Sequence, residues 1–141
     1  MNRVDARRIV IVDDDDCVRE GMEMTLEVAG YQIRSTRSGA EALRWLEDEP
    51  CDLLIVDFSM GEMDGPELYR HVHARWPTSA PQMLFVSGYG EIPRNENDPD
   101  VLAVPLLVKP FSLGDLLAAV TRALETPEPC RILIDSGTWT W

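Results

Sequence analysis

The chain has 141 residues, 45% of them hydrophobic and 27% charged, which is enough for one domain with a proper core and too few for two. A formal net charge of −12 argues against nucleic acid or anionic membrane as the main partner, and leaves room for a basic protein surface or a divalent metal. No apolar stretch approaches membrane-spanning length; the longest, Val101 to Val108, is interrupted by Pro105.

The N-terminal MNRVDARR lacks the apolar core of a signal peptide, so a cytoplasmic protein is expected. Cys17, Cys51 and Cys130 are odd in number and lack metal-ligand spacing, which reads as reduced, non-catalytic thiols. RIVIV (8–12) has no polar alternation and predicts a buried strand. From Asp16 to Ala29, Val18, Met22, Leu26 and Ala29 recur at helical spacing, and Gly30 ends that helix. YQIRST (31–36) alternates, as an edge strand with one wet face does. Ser38 and Glu41 have the spacing of a capping box, opening a helix that carries Ala42, Leu43 and Leu46 and stops before Pro50.

DLLIV (52–56) is a second buried strand, ending at Asp57, and the loop FSMGEMDG follows. Pro66 opens the next helix, whose inner face is Leu68, Tyr69, Val72 and Trp76, and Pro77 stops it. QMLFV (82–86) ends at Ser87, and PLLV (105–108) ends at Lys109. Between them GEIPRNENDPD (90–100) holds two prolines and few apolar residues, so an irregular or shortened fourth helix is expected. Ser112 caps a last helix with Leu113, Leu116, Leu117, Val120 and Leu124 on its face. Residues 1–125 form the predicted domain, and 126–141 a tail leaving through two prolines. In the tail RILID reads as an edge strand or as part of a flexible segment, with Trp139 and Trp141 available to dock. Buried strands alternating with amphipathic helices predict an α/β fold, a five-stranded parallel sheet covered on both faces.

Chemistry collects at the carboxyl ends of such strands. Here four apolar strands end in Asp13 and Asp14, in Asp57, in Ser87 and in Lys109. Taken singly, each has a plain reading: Asp13 to Asp16 as a solvated turn with one residue capping a helix, Asp57 as a turn cap, Lys109 as ordinary surface. Together they make a site. Clustered carboxylates need a compensating charge, and Mg2+ takes oxygen ligands while keeping several waters. A carboxylate with metal, lysine and hydroxyl around it is equipped to attack a phosphoryl group, which would leave an aspartyl phosphate on Asp57.

IVIVDDDDCVR with its Arg19, DLLIVDFSMGEMDG, LFVSGYG and LLVKPFS together resemble the receiver domain of two-component response regulators, over about Arg8 to Leu124. The resemblance implies a flavodoxin-like, doubly wound sheet with strand order 2-1-3-4-5. It implies Asp57 as phosphoacceptor, Asp14, Asp57 and the Ser59 carbonyl as direct Mg2+ ligands, and Asp13 acting through water. Ser87 and Lys109 would hold the phosphoryl oxygens, and the Lys109–Pro110 peptide would be cis. It implies a histidine kinase or histidine phosphotransfer protein as donor, an unassigned downstream protein, and a possible dimer. It describes a signalling domain that labels and unlabels itself rather than an enzyme. VSGYG and KPFSLGDL resemble hybrid-kinase receivers more than transcription-factor ones, while the apolar tail favours a stand-alone chain.

Three departures from the family pattern bear on output. Leu106 stands where Tyr or Phe is usual, three residues before the lysine, and presents no ring or hydroxyl. The Pro-rich 90–100 stretch replaces the fourth helix. Gly61 replaces a common Pro, which loosens the loop carrying Ser59. Tyr89, beside the site, reads as a gate or as a half-exposed packing residue. An intact acidic, Ser and Lys set beside an altered 90–106 region implies that phosphorylation is kept while the output differs. Three other readings compete. A haloacid dehalogenase-like phosphatase would use Asp13 or Asp14 as nucleophile, but needs a further acidic pair beyond the lysine. A pseudo-receiver would bind partners unphosphorylated. A flavin-binding protein would need a Ser/Thr/Gly-rich loop where four aspartates stand.

Overall fold

Aliphatic runs without polar alternation need cover on both faces, and a central parallel sheet receives it. β1 (Arg8–Val12), β2 (Gln32–Thr36), β3 (Leu53–Asp57), β4 (Gln82–Ser87) and β5 (Leu106–Val108) are all parallel, in the order β2-β1-β3-β4-β5. The connections carry α1 (Asp16–Val28), α2 (Gly39–Asp48), α3 (Gly65–Arg75) and α4 (Pro99–Leu102), and α5 (Leu113–Glu125) follows β5. The computed structural model describes residues 6–88, 97–125, 132–133 and 139–140; Tyr89, most of the 90–100 stretch, Cys130 and Trp141 lie outside them. This is the flavodoxin-like, doubly wound order expected from the sequence.

The side-chain period of two splits the strands between two cores. Ile9, Ile11, Ile55, Leu84, Val86 and Leu107 face Met22 and Leu26 of α1 and Leu116, Ala119, Val120 and Ala123 of α5. Val10, Val12, Leu54, Val56, Met83, Phe85 and Leu106 face α2 and α3. Burying each of these large aliphatic side chains contributes about 1.5–3 kcal/mol.

The helix faces differ in detail from their sequence reading. Ala29 is exposed because it is the C-cap of α1, and Gly30 follows at φ +107, where glycine is favoured. On α5, Ala119 and Ala123 are buried against the sheet while Leu113, in the first turn, is 63% exposed. Ser38 accepts the Glu41 N–H, but the Glu41 carboxylate takes the Thr36 hydroxyl instead of closing the box. The Thr36 hydroxyl in turn accepts the Ser38 N–H, so the box closes through an intermediary.

Gly65 opens α3 where a Cβ would sit 3.0 Å from the Phe58 Cα, so any larger residue would push on the backbone at the end of β3. α4 is a single turn capped by Asp98, the shortened helix expected. In the tail, β6 (Ile132–Leu133) pairs antiparallel with β7 (Trp139–Thr140) as a separate two-stranded sheet. The strand read in RILID therefore forms but pairs with the next apolar stretch, not with the edge of the main sheet.

Candidate phosphoryl-transfer site

Parallel register brings the strand ends level. Val12 lies opposite Val56, so Asp13 and Asp57 leave adjacent strands side by side. Asp57 is opposite Val86, and Ser87 opposite Val108, which places the hydroxyl and lysine strands next in line. The four aspartates then divide the work. Asp13 is fully buried; its carboxylate accepts the Asp15 N–H at 2.8 Å and faces the Lys109 ammonium at 3.5 Å. Asp14 is exposed at the mouth. Asp15 caps α1 by accepting the Val18 N–H at 3.2 Å. Asp16 pairs with Arg19 at 2.8 Å and with Arg37 at 3.7 Å.

Asp57 is 6% exposed, lies 3.8 Å from the Lys109 ammonium, and accepts the Ser59 N–H at 3.4 Å. Burial pushes its carboxyl up to about 6, the Asp13 charge adds to the rise, and Lys109 opposes it. Burial raises Asp13 as well, against the Asp15 N–H and Lys109. Ser87 is fully buried and turns its hydroxyl to the Gly88 carbonyl at 3.3 Å, so meeting an incoming oxygen requires a rotamer change. The Lys109–Pro110 peptide is cis.

One carboxylate oxygen each from Asp13, Asp14 and Asp57 lies within 4.8 Å of the others, the one such acidic cluster among the described residues. Around one Mg2+ at about 2.1 Å, ligand oxygens sit roughly 3 to 4.2 Å apart. The three acids fit a small hard cation with a modest closure.

A family model described as the response regulator receiver domain matches residues 9–121. The chain belongs to this family. The receiver is 37% identical over 119 residues to the sensor kinase CckA of Brucella abortus, a match covering 83% of this chain but 12% of that protein. It is 33% identical over 118 residues to the response regulator receiver protein CpdR of the same organism, covering 84% of this chain and 97% of the relative. Among solved structures, the chemotaxis response regulator CheY4 of Vibrio cholerae superposes with a TM-score of 0.73 at 26% identity, covering 84% of this receiver and 99% of that chain.

Two features of this receiver were not singled out by sequence reasoning. Thr36 ends β2, accepts the Asp13 N–H on its carbonyl at 3.1 Å, and is 5% exposed. Its signal was available, since it is the polar residue at the carboxyl end of the remaining strand. An apolar groove of about 510 Å³ also runs beside the site, between Cys17, Val18, Gly21 and Met22 on α1 and Lys109, Phe111 and Leu113 on the other bank. Of the acids beyond Lys109 that a phosphatase would need, Asp115 accepts the Ser112 N–H at 3.1 Å as part of a helix cap. No described helix is long and apolar enough to cross a membrane.

Proposed function

We propose that this receiver accepts a phosphoryl group on Asp57, with Asp13, Asp14, Asp57 and the Ser59 carbonyl serving Mg2+, and signals by altered protein contacts. The observation that carries the reading is the convergence of three carboxylates and Lys109 on one point at the end of β3. Bound there, Mg2+ would neutralise the acids and the phosphoryl oxygens. Lys109, already between Asp13 and Asp57, moves its charge onto one phosphoryl oxygen. Ser87 rotates from the Gly88 carbonyl to donate to another. An Asp57 oxygen forms the new P–O bond as the P–N bond of a donor phosphohistidine breaks, and the electron pair leaves with the imidazole.

The donor is a histidine kinase or phosphotransfer protein. The groove shares Lys109 with the site, so a donor helix seated there has its histidine near Asp57. The net charge of −12 favours a donor with basic residues around that helix. Incubation with acetyl phosphate and Mg2+, followed by intact mass, tests the reading. One phosphoryl group appears on the native chain, and none on Asp57→Asn. Labelling of Asp57→Asn at the native rate would end it.

A further inference from the structure

We infer that Arg19 is a positioning residue for the acidic site, acting through the peptide that joins Asp13 to Asp14; the inference rests on the reading of that site as a Mg2+ site. Arg19 stands in the second turn of α1, and its side chain is only 12% exposed. Burying a guanidinium costs free energy unless its donors are matched. Its Nη1 is matched twice, to the Asp16 carboxylate at 2.8 Å and to the Asp13 carbonyl at 3.0 Å. The second bond matters for the site. The Asp13 carbonyl oxygen belongs to the peptide plane from which Asp14 departs. Asp13 is otherwise pinned at its N–H by the Thr36 carbonyl and at its carboxylate by Asp15 and Lys109.

Asp14 is exposed, and its direction is set by that plane. Arg19 therefore fixes the rotation that aims Asp14 at the point shared with Asp13 and Asp57. It touches none of those three carboxylates in doing so: its bonds go to a backbone oxygen and to Asp16.

A through-space role and a positioning role have opposite signs. Removing a positive charge near three acids strengthens their hold on a cation. Releasing the peptide plane weakens it, and substitutions behind a metal ligand lower affinity by about 10- to 100-fold. Calorimetric titration of the folded, metal-free chain with Mg2+ separates them. Arg19→Met is expected to bind Mg2+ about tenfold more weakly, with Arg19→Lys recovering part of the loss because its ammonium can still donate to the carbonyl. Arg37→Met removes the same charge from the other side of Asp16 without touching the carbonyl, and is expected to bind as the native chain does or more tightly.

In metal-free amide spectra, the Asp14 and Asp15 resonances move in Arg19→Met and stay in place in Arg37→Met. Native Mg2+ affinity in Arg19→Met, with only a lower urea midpoint, would overturn the inference and leave Arg19 a purely structural residue. If Arg19→Met does not fold in buffer, it is folded with trimethylamine oxide and titrated beside the native chain in the same medium, and native affinity with unmoved Asp14 and Asp15 resonances overturns the inference. A native chain that binds no Mg2+ would instead remove the reading of the site beneath it.

Discussion

Asp57 carries a cost that the site puts to use. It sits 6% exposed beside another buried acid, and its carboxyl is raised to about 6, first by burial and then by Asp13. The unfolded chain holds an aspartate near 3.8. Between those values the folded state binds more protons than the unfolded one, so stability falls as pH rises from about 4 to about 6. Above that window the penalty is fully present, on the order of 3 kcal/mol for a shift of this size. Asp13 is raised too and adds to the same slope. In the metal-free protein, Asp57→Asn is therefore expected to gain about 3 kcal/mol over the native chain at pH 7 and little at pH 4, by urea unfolding. An equal effect at both pH values would show that the charge of Asp57 is not what costs stability. Mg2+ bound at the proposed site would relieve the same penalty, so it is expected to stabilise the native chain more at pH 7 than at pH 5.

At the level of elements, β4 and β5 connect the site to the region that departs from the family pattern. Ser87 lies opposite Val108, and its carbonyl accepts the Lys109 N–H at 2.7 Å. Two positions back, Phe85 lies opposite Leu106, which is 4% exposed and packs in the core that also holds Val101 of α4 and Val104. On the proposed function, a shift of Ser87 toward a phosphoryl group would pass to β5 and the α4 turn through this packing, with no aromatic swing. Mg2+ with beryllofluoride is expected to move amide resonances over 97–108 as well as at the site loops. Silence over 97–108 would show that the altered region has lost the switch.

The strands and their terminal residues were legible in the sequence because burial on both faces leaves a continuous apolar run, and any polar group at its end stands out. The shortened α4 was legible from its prolines. Helical period alone does not show where the sheet ends beneath a helix, so the apolar face it gives for α5 includes Leu113, which the sheet leaves exposed. Nor did spacing reveal that Thr36 comes between Glu41 and the helix cap, because that path runs through a hydroxyl on another element.

At the scale of the whole molecule, the proposed function gives a small phosphodonor and a protein donor different surfaces to use. Acetyl phosphate needs only the strand ends. A protein donor must also seat a surface, and the groove next to Lys109 offers apolar area there, with Leu113 63% exposed on its rim. Leu113 is the first residue of α5, where a carboxylate is favoured by the helix dipole, so Leu113→Glu leaves the fold unharmed. It puts a charge where an apolar contact would form. Transfer from a phosphohistidine donor is expected to slow by about tenfold, the equivalent of roughly 1.4 kcal/mol at an interface contact, while labelling by acetyl phosphate stays at the native rate. Equal slowing of both reactions would place the damage in the site itself. Native rates in both would show that the donor approaches across another face, because a partner seated on this groove cannot avoid the charge.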